Sequence, residues 1–184
     1  MSNYAITNST VAGFGSTQAP ISGAYKTLCL AAASTQGSGV SATNGTLRRG
    51  KLYDILVGTN GTPADNYMEF QVSRAVITTS SGTTFAGVLS SVSSALTLDQ
   101  ADVGLAAFLV ANSSNEGGIS LASIPASWYV GVNQRASYRW VAAPGSEIVY
   151  PAISSASGNN GLCLQARSGG YTGTATGAVL FSEQ

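Results

Sequence analysis

Short apolar runs alternate along the chain with clusters of Gly, Ser, Thr, Asn and Pro. The clearest run spans residues 67–76, where Met68, Phe70 and Val72 alternate with Glu69, Gln71 and Ser73. A period of two puts these sets on opposite faces of an extended chain, which predicts a strand buried on one side. Lys51 to Val57 reads as another strand, cut off by Gly58-Thr59-Asn60-Gly61-Thr62-Pro63. Ala24 to Ala33, with Tyr25 and Leu28, is an apolar run ended by Ser34-Thr35-Gln36-Gly37-Ser38-Gly39.

Residues 83–89, 105–111, 128–132, 136–141, 147–150, 161–167 and 174–181 are further strand candidates. The last alternates Ala178 and Leu180 with Val179 and Phe181, and Ala143-Pro144-Gly145-Ser146 reads as a turn. Residues 96–103 read as a loop or a short helical turn. No sustained helical period or internal repeat is visible. The prediction is all-β, a sandwich or barrel of about eight to ten short strands.

Residues 1–20 are polar and rich in Gly, Thr and Ser, with isolated Tyr4, Ile6, Val11 and Phe14 before Pro20. Such a stretch buries little of itself, so it is expected to be an extended N-terminal arm that orders against another surface. Residues 21–184 then form a single β-sandwich domain. Removing the arm is expected to leave that domain folded.

Composition narrows the chemistry. The chain has 184 residues, Lys+Arg 8 against Asp+Glu 8, no histidine, and 9% charged residues, where about a quarter is usual. A Ser-His-Asp triad or a Cys-His pair is impossible without histidine, and a Ser-Lys dyad has only Lys26 and Lys51, neither in a recognisable motif. Asp99 and Asp102 are close enough to share a turn but read better as a solvated acidic turn or helix cap than as a glycosidase pair. Asp54, Asp65 and Glu69 are too loosely spaced for calcium. The expectation is no enzyme, no metal and no cofactor.

Zero net charge argues against nucleic acid as a partner. No apolar run approaches the ~20 residues of a spanning helix, and Met1-Ser2-Asn3-Tyr4 lacks the features of a signal peptide. Cys29 and Cys163 read as buried small hydrophobes, with a disulfide between two strands as the alternative.

Two segments concentrate positive charge. Arg48-Arg49-Gly50-Lys51 leads into a strand, and its charges either face solvent or meet an acidic patch on a partner protein. The run Asn133-Gln134-Arg135-Ala136-Ser137-Tyr138-Arg139-Trp140-Val141-Ala142-Ala143-Pro144-Gly145 interleaves arginines with aromatics. On a strand, Arg135, Ser137, Arg139 and Val141 share one face, and Ala136, Tyr138 and Trp140 the other. One reading puts Tyr138 and Trp140 in the core with the arginines outward or paired to Glu147 or Asp54. The other makes the arginine face an interface.

That run resembles small structural proteins of tailed bacteriophages, together with Tyr53-Asp54-Ile55-Leu56-Val57-Gly58, Gly61-Thr62-Pro63-Ala64-Asp65-Asn66, Asn160-Gly161-Leu162 and Tyr171-Thr172-Gly173-Thr174-Ala175. The resemblance is to the capsid decoration, or cement, proteins and covers residues 47–182, with Gly104–Ile124 departing from the pattern. It implies a jelly-roll-like β-sandwich, made in the host cytoplasm. It further implies a homotrimer bound to the outer surface of the capsid against the major capsid protein, stabilising contacts between capsomers. The family has no catalytic residues to carry over. Interface candidates are Arg48, Arg49, Lys51, Arg135, Arg139, Tyr4 and Phe14. The competing expectation is a carbohydrate- or receptor-binding module on the virion, with Trp128-Tyr129 after Ile124-Pro125 as its aromatic platform.

Overall fold

A computed structural model describes residues 2–7, 25–32, 49–77, 96–98, 108–109, 119–121, 126–150, 161–168, 170 and 174–183. They form β1 (Ser2–Thr7), β2 (Lys26–Ala32), β3 (Gly50–Asn60), β4 (Tyr67–Ile77), β5 (Leu96–Thr97) and β6 (Phe108–Leu109). The set continues with β7 (Ile119–Leu121), β8 (Trp128–Asn133), β9 (Tyr138–Val141), β10 (Ile148–Tyr150), β11 (Gly161–Ser168) and β12 (Thr174–Glu183). All pair antiparallel, and no helix occurs among the described residues.

The strands divide into two sheets. The first runs β10-β3-β12-β1-β5, with β9 on β3; the second runs β6-β2-β11-β4-β7, with β8 on β4. Because β12 occupies one edge of β3 along its whole length, β9 and β10 share the other, at Asp54–Val57 and Gly50–Leu52. In the same way β7 and β8 share the edge of β4 away from β11.

One core lies between the sheets. Tyr4, Ile6, Leu52, Ile55, Val57, Ile148, Tyr150, Val179 and Phe181 come from the first, and Leu28, Cys29, Met68, Phe70, Val72, Leu162 and Leu164 from the second. The alternation read in β4 holds: Met68, Phe70 and Val72 point into this core. Each such side chain contributes about 1.5–3 kcal/mol by leaving water. Two bulges adjust the faces. Opposite Leu164 and Gln165, β2 presents Cys29 and then Thr27, so the extra residue Leu28 is buried together with Cys29. Opposite Leu180 and Phe181, β3 presents Asp54 and then Leu52, leaving Tyr53 as the extra residue.

The two sheets come close together at Gly177 of β12. A Cβ there would stand 2.8 Å from Leu164 Cδ2 and 3.0 Å from Leu28 Cδ1, both on the opposite sheet. The Cys29 thiol donates to the Gly177 carbonyl at 3.4 Å across the same gap.

Three expectations need correction. The N-terminal stretch is not an arm over Ser2–Thr7: β1 pairs with β12 on one side and β5 on the other. Tyr4 is 0% exposed and stacks on Phe181 with ring centroids 5.3 Å apart, so it is core and cannot be an interface residue. A strand paired on both edges is part of the scaffold, and deleting residues 1–20 would remove it; residues 8–20 lie outside the described residues. Leu96–Thr97 is a strand on β1 rather than a loop or helical turn. The expectation that the cysteines are buried small hydrophobes holds, and the alternative of a disulfide between them does not. Register explains this: Cys29 lies opposite Leu164 and Cys163 opposite Leu30, so adjacent-residue alternation turns the two thiols to opposite faces of the second sheet. The strand expected at 83–89 lies outside the described residues, as does most of that expected at 105–111.

Candidate binding faces

The Asn133–Gly145 run is where the chain passes from one sheet to the other. Asn133 ends β8 beside Tyr67 in the second sheet, and Tyr138 begins β9 beside Val57 in the first. Asn133 makes the corner, its Oδ1 accepting from Arg135 N at 2.9 Å and its carbonyl from Ala136 N at 2.9 Å. Gln134, fully buried, ties the corner to the β3–β4 loop. Its N donates to Asn66 O, its Oε1 accepts from Ala64 N, and its carbonyl accepts from Thr59 Oγ1. Arg135 adds an exposed ion pair to Asp65 at 3.2 Å. After β9, Ser146 N donates to Ala143 O at 2.8 Å with Gly145 at φ +84°, the type II turn that Pro144-Gly145 encodes. Tyr138 and Trp140 gather round Trp128, at 6.2 and 6.4 Å between centroids, and close the flank between the sheets.

The outer face of the first sheet follows from register. One row across it is Val141, Asp54, Leu180 and Ala5; the next is Arg139, Leu56, Ala178 and Thr7. Val141 is 59% exposed and Leu56 47%. The one ion pair in these rows is Arg139 with Asp54, a fork in which Arg139 Nε reaches Oδ1 at 3.1 Å and Nη2 reaches Oδ2 at 2.5 Å. Asp54 is buried beneath the exposed arginine. At one end a depression of about 360 Å³ lies between Leu56, Gly58, Thr176, Arg135 and Ser137.

The outer face of the second sheet differs in chemistry. Thr27, Gln165 and Gln71 line up across β2, β11 and β4, joined by Gln71 Nε2 to Gln165 Oε1 at 3.0 Å and Gln165 Nε2 to Thr27 Oγ1 at 3.4 Å. Next to them Arg167 and Glu69 lie opposite each other. Arg167 Nε donates to Glu69 Oε2 at 2.6 Å, and Tyr25 OH donates to the same oxygen at 2.8 Å. The guanidinium also lies over the Tyr25 ring, 4.7 Å from its centroid. Burial raises the Glu69 carboxyl, but hydrogen bonds from Tyr25 and Arg167 and the Arg167 charge outweigh it, and the net shift is downward. Burial, then the bond to Glu69, pushes the Tyr25 hydroxyl up to about 12.

Tyr67 and Tyr129 flank this ion pair, each 51% exposed, with their hydroxyls hydrogen-bonded to each other. The bond to Tyr67 is the largest reason the Tyr129 phenol is pushed up, followed by desolvation and Glu69. Gly131 lies between them on β8, opposite Glu69. A Cβ at Gly131 would fall 2.3 Å from Tyr67 Cε2 and 2.6 Å from Cζ, so the glycine lets the Tyr67 ring lie flat against the backbone.

Of the sequence candidates, Arg139 and Arg135 sit at opposite ends of the corner, each with a carboxylate, and Asp54 is among the partners expected for the arginines. Arg49 is exposed, Lys51 half-buried on β3, and Tyr4 in the core. Arg48 and Phe14 lie outside the described residues. Trp128 is half-buried against the core, so the expected Trp128-Tyr129 platform divides, with Tyr129 facing outward alone. Of the set Tyr25, Tyr67, Glu69, Tyr129 and Arg167, sequence reasoning singled out Tyr129 and missed the residues that join it. The alternation of β4 puts Tyr67 and Glu69 on one face, but only the register of β2, β8 and β11 brings the rest to them. Compared with known proteins, the chain matches no family model, no curated protein and no solved structure.

Proposed function

We propose that this chain is a non-enzymatic virion structural protein. It binds the outer surface of a tailed-phage capsid as a homotrimer and stabilises contacts between capsomers, on a jelly-roll-like arrangement of its two sheets. The observation that carries the reading is a pair of adjacent, largely apolar rows on the outer face of the first sheet. An antiparallel sandwich ordinarily turns a polar face to water. Here Leu56, Val141, Leu180, Ala178 and Ala5 fill two neighbouring rows of that face, and the one ion pair in those rows, Arg139 with Asp54, is internally neutralised. Exposed apolar surface of this kind fits protein contact, and flat neutral rows of small and branched side chains suit packing against identical copies. The resemblance of the 133–145 run to decoration proteins supports the same reading.

The test is co-sedimentation of the purified protein with capsids assembled from the shell protein of the same phage. Saturable binding that Leu56→Asp and Val141→Asp abolish, with unchanged circular dichroism, is expected. Absence of binding by the native chain overturns the reading.

A further inference from the structure

The outer face of the second sheet holds a set of side chains that the decoration reading does not use. Tyr67 rests one ring face on the backbone at Gly131 and is half open to solvent. Tyr129 is equally exposed, and the two hydroxyls are hydrogen-bonded to each other. Below them Glu69 and Arg167 satisfy one another, with Tyr25 closing the network from β2's side. The result is an aromatic surface edged by hydroxyl, carboxylate and guanidinium groups.

We propose that Tyr67 and Tyr129 form a binding site for a neutral carbohydrate. The chemistry of the surface selects that class. A pyranose offers a face of C–H groups, which stacks on an aromatic ring, and an edge of hydroxyls, which exchange hydrogen bonds with phenols and charged groups. Tyr67 supplies the ring face without reorganisation, because Gly131 already holds it flat. Glu69 and Arg167 cancel in charge, so an anionic or cationic ligand gains little from them. The site is on the sheet opposite the proposed subunit contact, and it stands whether or not the protein decorates capsids.

The test is binding of the purified full-length protein to an array of neutral oligosaccharides of glucose, galactose, mannose and N-acetylhexosamines, with sialylated and sulfated glycans beside them. The native protein is expected to bind a subset of the neutral glycans, with little dependence on salt. Tyr67→Ala and Tyr129→Ala should each lower that affinity at least tenfold while circular dichroism and melting stay native-like. Tyr129→Phe, which keeps the ring, should lose less. Saturation-transfer NMR on the native protein with the bound sugar should place its protons against tyrosine rings, which keeps the test decisive if an alanine variant does not fold. No binding to any neutral glycan, binding confined to charged glycans, or binding indifferent to both tyrosines overturns the proposal. Loss of self-association in Tyr67→Ala without sugar binding by the native chain also overturns it, and assigns the face to protein contact.

Discussion

At Gly177 the absence of a side chain sets how closely the two sheets approach. Leu164 and Leu28 occupy the space a Cβ would need, so Gly177→Val must push the sheets apart or force both leucines off their rotamers. Overpacking of this kind costs about 1–3 kcal/mol, read as a lower urea midpoint. The same change at exposed Gly145 meets nothing within 4 Å, but its φ of +84° makes a branched residue strained there too. The thiols give a second residue-scale prediction. Cys29 and Cys163 are buried without a disulfide, so neither should react with a thiol reagent in the native protein, and both should react in denaturant without reductant. Titration of fewer than two after unfolding would show a disulfide instead.

The Tyr25–Glu69–Arg167 network makes stability depend on pH at both ends. Glu69 is held below its ordinary value, so its contribution is complete above about pH 4.5 and is lost as the pH falls through the lower folded value. Tyr25 is raised, so its contribution is complete below pH 10 and is lost as the pH rises from there towards about 12. Urea midpoints across pH should decline at both limits, and Tyr25→Phe should flatten the alkaline limb. Identical alkaline limbs in the two proteins would contradict this assignment.

Among the elements, β1 has most to say about reading sequence. Tyr4 and Ile6 stand among polar neighbours, and nothing local distinguishes a strand that completes a sheet from a tail that frays. What decides the matter is β12, some 170 residues away in the chain, whose outward and inward alternation matches Ser2–Thr7 along its length. Strands such as β4 and β12 were legible because burial on one face writes a period of two into consecutive residues. Two-residue strands such as β5 and β6 carry no such period and exist through their partners. The 133–145 run was legible as a feature but not as a role: its asparagine, glutamine, arginines and Pro-Gly turn join two sheets. The tyrosine face was hidden because its members come from β4, β8 and β11 and from the residue preceding β2. Deleting residues 1–7 should therefore abolish cooperative melting, since it uncovers β12 and removes Tyr4 and Ile6 from the core. A melting curve like that of the full chain would show that β1 is dispensable.

At the scale of the molecule, three arginines among the described residues meet carboxylates of their own chain. Arg139 meets Asp54, Arg167 meets Glu69 and Arg135 meets Asp65. Outward, the first sheet presents two apolar, branched rows, and the second presents tyrosines beside an ion pair. A chain with 9% charged residues and no net charge meets little electrostatic resistance when copies of itself pack together. On the proposed function, other copies of the same chain cover the apolar rows of the first sheet. Sedimentation equilibrium of the native protein and of Leu56→Asp tests it most directly. The expected masses are three chains for the native protein and one for the variant, both folded. A native protein that stays monomeric across the accessible concentration range, or a trimer that Leu56→Asp leaves intact, would contradict it.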